Sequence, residues 1–218
     1  MTIDSPARSG TRLNGREPKS ERTRARILDA AAKVLSEKGY AGTRLADVAK
    51  AAELRAPAIY YYFDSRESLI EEVMWSGVAD LRQRLEAALD AAPPDQTAMG
   101  RLTLAVEVHL RHELEVSDYT TASIRNAGQI PKRIRERQVD EEKRYGDIWR
   151  RLVENAAADG EVRADLDLFI ARMMILGALN WAAEWWTPRR GSIDAVVATA
   201  QAAIRQGLAA RARDDAGE

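Results

Sequence analysis

The chain has no cysteine in its 218 residues. Disulfides, thiolate chemistry and cysteine-based zinc sites are therefore excluded. It has no Gly-x-Ser-x-Gly elbow, no Walker A loop and no dinucleotide fingerprint. The expectation is a protein that is not an enzyme and needs no cofactor. No alternating strand pattern and no internal repeat occur, so the expected class is all-α. No apolar core follows the first basic residues, so no secretory leader is read there. Charge of one sign is also missing: the net charge is −1, unlike that of a general nucleic-acid coat protein. Basic residues are instead concentrated locally, at Arg8, Arg12, Arg16, Lys19, Arg22, Arg24 and Arg26. Residues 1–18 read either as a solvated tail or as a basic arm lying along a DNA backbone.

What is present is helix. Ile27, Ala30, Ala31, Val34 and Leu35 mark one helix, closing at Lys38-Gly39. Leu45, Val48, Ala49 and Ala52 repeat the spacing in a short second helix, for which Thr43 is the expected N-cap. Ile59, Tyr62 and Phe63 share the inner face of a third, with Pro57 in its first turn, where a missing N–H costs nothing. Tyr60 and Tyr61 project away from that face. Three helices, the last two short and crossed, make a helix-turn-helix unit suited to a DNA major groove.

Between Lys19 and Ala79 the segments ILDAAAKVLSEKGY, TRLADVAKAA, IYYYF and DSRESLIEEV resemble the tetracycline-repressor (TetR) family of bacterial regulators. The resemblance implies a cytoplasmic, nucleoid-associated homodimeric repressor that binds double-stranded operator DNA until a small hydrophobic effector enters its C-terminal domain. It places Ala56, Pro57, Ala58, Tyr60 and Tyr61 at the groove, and Thr43, Tyr62 and Arg66 on the phosphate backbone. Arg44 and Arg55 join them from position alone. The chain departs from the family pattern at Glu53, where glycine is usual. A left-handed backbone there costs a non-glycine residue about 1–2 kcal/mol. Arg55 replaces the usual small hydroxyl cap and adds a guanidinium that can reach a guanine edge or a phosphate.

The chain divides into an N-terminal arm (1–18), a DNA-binding domain (19–80) and a ligand-binding and dimerisation domain (81–218). A long helix from Glu67 to Ala92 joins the last two and stops before Pro93-Pro94. Asp95 is the expected cap of the helix that follows. From Asp165 to Thr187 almost no polar face exists, so that helix must be buried all round. A partner subunit supplies the missing cover. A membrane span competes by length, but Arg172, Asn180 and Glu184 oppose it. The final helix carries Val196, Val197, Ala200, Ile204 and Leu208 on one face, the expected two-fold interface.

The expected effector pocket is lined by Met99, Leu102, Val106, Ile124, Trp149, Met173, Met174, Gly177, Asn180, Trp181 and Trp185. The competing reading makes most of these ordinary core. ALNWAAEWWTPRRGSI also resembles a TetR subgroup responding to fatty acyl-CoA or steroid-derived CoA thioesters. Arg125, Lys132, Arg133, Arg135 and Arg137 supply cations for CoA phosphates. The alternative effector is an uncharged drug or aromatic metabolite, with these arginines only solvating a helix. His109, His112, Glu113 and Glu115 form a possible metal face, with the order H-x-x-H-E, which matches no hydrolytic zinc motif; otherwise the two histidines edge an amphipathic helix. No metal is assigned.

Overall fold

The computed structural model describes residues 19–116, 118, 119, 122, 126 and 128–210. The expected N-terminal arm, Ile124 and Arg125 lie outside them. Among the described residues the architecture is all-α. The helices are α1 (Lys19–Gly42), α2 (Leu45–Ala51), α3 (Ala56–Tyr60), α4 (Arg66–Asp90), α5 (Ala98–Arg111), α6 (Lys132–Ala158), α7 (Leu168–Trp185) and α8 (Ile193–Leu208). A π-helical turn, His112–Val116, extends α5. Asp118, Tyr119, Ala122 and Asn126 are also helical.

Two apolar cores are present. The first gathers α1, α2, α3 and the first half of α4 around Ile27, Leu35, Val48, Ile59, Leu69 and Met74. Ala122, Ile130 and Ile134 join it from much later in the chain. The second gathers Leu81 and Leu85 of α4 with α5, the second half of α6, and parts of α7 and α8. Both α4 and α6 therefore contribute to both cores.

Caps set the helix limits. Gly39 takes φ 69°, so α1 kinks there and continues one more turn to Gly42. Thr43 is not the cap of α2. Its hydroxyl donates back to the Gly39 carbonyl at 2.8 Å, and Arg44 occupies the N-cap position without a side-chain bond. Ser65 and Ser68 form a reciprocal capping box at the start of α4. Thr97, not Asp95, caps α5, accepting from the Gly100 N–H at 3.0 Å.

The last two helices correct the expected interface. Val197 and Leu208 are buried in the chain's own second core, and Val196, Ala200 and Ile204 pack against it. The stripe faces α5. Gln201 donates to the Thr103 carbonyl (2.9 Å) and Arg111 pairs with Asp194 (2.6 Å), holding α8 there. An amphipathic stripe demands burial but does not say against which helix. The outer face of α8 is the small one, with Ala198, Ala202, Ala203 and Gly207 exposed. On α7 only Ile175, Leu179 and Ala182 are buried. Phe169, Ile170, Met174 (71% exposed), Trp181 (63%) and Trp185 face outward, and Met173 is about half-exposed.

Candidate DNA-binding face and internal cavity

The first candidate site is the surface made by α2 and α3. Glu53 adopts φ 54°, so the turn takes the left-handed geometry despite its side chain. That turn sends α3 across α2 with Ile59 and Phe63 buried beneath it. Tyr61 is 82% exposed and Tyr60 57%. Arg44, Arg55 and Pro57 are exposed, while Ala56, Ala58 and Tyr62 are half-buried. Tyr62 meets the Tyr61 ring edge-on, with centroids 5.0 Å apart. Beyond that edge contact, rings this exposed bury little surface within the chain.

Thr43 and Arg66, expected on phosphate, have internal tasks instead. Thr43 is buried and bonded to Gly39. The Arg66 guanidinium donates to the Thr43 carbonyl (2.7 Å) and the Tyr40 carbonyl, pairs with Glu67 and lies 4.4 Å over the Tyr40 ring. Its donors tie the end of α1 to the start of α2. A second tie comes from Asn126, which is buried. Its side chain accepts from the Tyr40 N–H (2.7 Å) and donates to the Leu35 and Ala122 carbonyls.

The second candidate site is a cavity of about 510 Å³ between α4, α5, α6 and α7. Of the expected lining, Met173, Gly177 and Asn180 border it. Met99, Leu102, Val106 and Trp149 are solid core, whereas Met174, Trp181 and Trp185 turn outward. The remaining lining residues are Gly77, Val78, Leu81, His109, Glu113, Gln138, Glu142, Tyr145, Gly146 and Leu176. The volume suits a drug-sized guest. No lysine or arginine is among these residues.

His109, Glu113 and Gln138 are buried in this wall, not at a solvated helix edge. Burial, with His112 nearby, holds the His109 imidazole down at about 3, although Asn180 opposes the shift. The ring is therefore neutral, and its Nδ1 is hydrogen-bonded to the Tyr145 hydroxyl at 2.8 Å. Its Nε2 stands 3.6 Å from Glu113 Oε1, beyond hydrogen-bond reach. Burial also pushes the Glu113 carboxyl up to about 8. Glu113 Oε2, Gln138 Oε1 and His109 Nε2 are buried without a hydrogen-bond partner among the described residues. His112 turns away to Asp80 (3.0 Å). Among the described residues no group of three metal-ligating side chains comes together.

Sequence reasoning missed Gln138, Tyr145 and the burial of His109 and Glu113. The signal was phase. Gln138 lies one heptad before Tyr145 on the apolar stripe of α6, and His109 continues the stripe of Leu102 and Val106. The basic residues of α6 do not line the cavity. Arg137 pairs with Glu72 (3.0 Å) and stacks on Trp75, while Lys132 and Arg135 border a separate shallow groove with Glu136 and Asp140.

Residues 95–208 match the family model described as tetracyclin repressor-like, C-terminal domain, and residues 27–73 match bacterial regulatory proteins, tetR family. The HTH-type transcriptional repressor NicS of Pseudomonas putida is 30% identical over 167 residues, covering 76% of this chain and 78% of that protein. The fatty acid metabolism regulator protein of Bacillus subtilis is 26% identical over 172 residues, covering 78% and 86%. The crystal structure of the regulator FadR from Bacillus subtilis in complex with stearoyl-CoA shares the fold. Its TM-score is 0.69 at 22% identity, over 84% of this chain and 98% of that one.

Proposed function

Since the chain belongs to the TetR family of bacterial transcriptional repressors, we propose that it is a ligand-responsive repressor. It binds a near-palindromic operator as a homodimer and releases it when a small hydrophobic effector enters the cavity. The observation that carries this reading is the pair Tyr60 and Tyr61, exposed on a short helix whose other face is core. Uncharged hydroxyl-bearing rings on such a helix suit base edges and phosphates in a major groove. Residues 19–80 act as the DNA-binding unit and residues 81–218 as the effector and dimer unit. The protein works in the cytoplasm, at the nucleoid. Among the described residues no helix is long and apolar enough to cross a membrane.

The dimer forms through the outward apolar residues of α7 and the small outer face of α8, where Ala198 and Ala202 allow close approach. The effector is an acyl-CoA thioester whose chain fills the cavity and whose phosphates meet the basic start of α6. Support comes from the stearoyl-CoA held by FadR of Bacillus subtilis. A second reading, an uncharged hydrophobic compound, is favoured by a lining without any cation. The test is a band shift with the promoter of its own gene. The wild type should retain that fragment, and long-chain acyl-CoA should release it. A wild type that leaves the fragment unbound at low salt ends the repressor reading. Retention that acyl-CoA leaves unchanged but an uncharged hydrophobic compound abolishes selects the second effector.

A further inference from the structure

The cavity wall is acidic, and Asn180 supplies an amide to it as well as Gln138. It includes the carboxyls of Glu113 and Glu142 and neither lysine nor arginine. Gln138 spends its amide N–H on Glu142 (2.7 Å), which leaves its Oε1 as a pure acceptor without a partner. Glu113 Oε2 is in the same condition, and so is His109 Nε2. All three belong to buried residues of the cavity lining; Trp149 Nε1 and Arg172 Nε are also buried without a hydrogen-bond partner among the described residues, but neither residue lines the cavity. A buried polar atom left unpaired is costly, and such atoms in a native protein call for an explanation. Glu113 also sits in the π-helical turn that extends α5, a distortion of the kind found mostly at functional sites.

Resting on the reading of this cavity as the effector site, we infer that the part of the effector held inside, which for an acyl-CoA is a substituted acyl chain, bears a non-anionic hydrogen-bond donor, a hydroxyl or an amine. Gln138 and Glu113 both line the cavity, and such a group entering beside them gives Gln138 Oε1 and Glu113 Oε2 the partner they lack. A hydroxyl donates to one and accepts from the protonated form of the other. An amine donates to both, and its charge is met by the ionised form of Glu113. A carboxylate or phosphate meets two carboxyls and the Gln138 oxygen, with the Asn180 amide as a neutral donor and no cation to receive it. A plain alkyl chain leaves all three atoms as they are. Selectivity of this kind is strong because a site built around hydrogen bonds is penalised by guests that cannot make them.

The test uses the full-length dimer and three guests with the same chain: 1-decanol, decylamine and decanoate, at pH 7. Binding is followed by calorimetry and by release of a labelled operator fragment. At least one of the alcohol and the amine should bind tenfold or more tighter than decanoate. The better of the two identifies the group. Gln138→Leu should narrow the preference to threefold or less, and Glu113→Gln should lower the affinity for the amine while sparing that for the alcohol. Equal binding by all three, or tightest binding by decanoate, overturns the inference and leaves the cavity reading in place. A preference that survives unchanged in both variants also overturns it. No binding by any of the three overturns the inference and the cavity reading together.

Discussion

Replacing Glu113 by Gln should stabilise the protein, and the gain should grow with pH. The amide copies the shape of the protonated carboxyl but cannot ionise. In the native wild type, burial raises Glu113 from its ordinary 4.5 to about 8. Below pH 4.5 the carboxyl is protonated in both folded and unfolded chains, so it has no effect on the pH dependence. Between 4.5 and 8 the unfolded chain gives up the proton and the native one keeps it, so stability falls as pH rises. Each pH step of one costs about 1.4 kcal/mol, and the full interval costs on the order of 5 kcal/mol. His109, held at about 3 against an ordinary 6.5, has the opposite slope. It costs stability as pH falls from 6.5 towards 3, because only the unfolded chain takes the proton. The two groups cancel between pH 4.5 and 6.5, leaving a plateau there with a decline on either side. In Glu113→Gln the decline above pH 6.5 should disappear. The assay is thermal unfolding of both proteins by circular dichroism from pH 4.5 to 9. The difference in melting temperature should widen by roughly 10–20 °C across that range. A difference that stays constant from pH 5 to 9 would refute the argument that Glu113 is buried without a partner.

Tyr61→Ala should weaken operator binding at least fivefold in a band shift and leave the melting temperature unchanged, because the ring is exposed. Arg66→Ala should lower both stability and operator affinity while leaving the salt slope of binding as it was. Its guanidinium is bonded to the Thr43 and Tyr40 carbonyls, and a slope reduced by about one would show instead that it reaches a phosphate. Trp181→Glu should give folded monomers by sedimentation with little loss of helicity, whereas Ile204→Glu should lower the stability of the chain itself, since Ile204 packs on its own core. Asn126→Ala should cost about 1–3 kcal/mol in chemical denaturation, by leaving the Tyr40 N–H and Leu35 carbonyl short of a partner.

The fold was legible where local periodicity decided it. Ile27, Leu35, Val48 and Ile59 are apolar at helical spacing and are core, and the left-handed Glu53 follows from a turn that needs such a residue. Legibility ended where distant partners decide. Nothing adjacent to Arg66 in the sequence announces that its guanidinium will close on the Tyr40 carbonyl, 26 residues earlier. Thr43 follows the same rule: a hydroxyl before a helix reads as a cap, but the kink at Gly39 presents it with a nearer carbonyl.

The cavity was the least legible part, and α7 shows why. A helix that is apolar on every side carries no phase, so Met173 at the cavity and Met174 on the outside look alike in sequence. The informative residues were the polar ones out of place. A histidine, a glutamine and a tyrosine in phase with buried stripes must either be satisfied or await a partner. In this chain Tyr145 satisfies one nitrogen of His109 and leaves the other, while Gln138 and Glu113 each retain one unpaired oxygen. The cores themselves are built from α4 and α6 in common, and the cavity lies between these same two helices. A guest that pushes on Gln138 or Gly77 therefore acts on helices that also carry Ile134 and Met74 of the first core. On the function proposed above, the unpartnered polar atoms and the shared helices are parts of one arrangement: the former would supply differential affinity for a guest, and the latter would convey it to the face bearing Tyr60 and Tyr61.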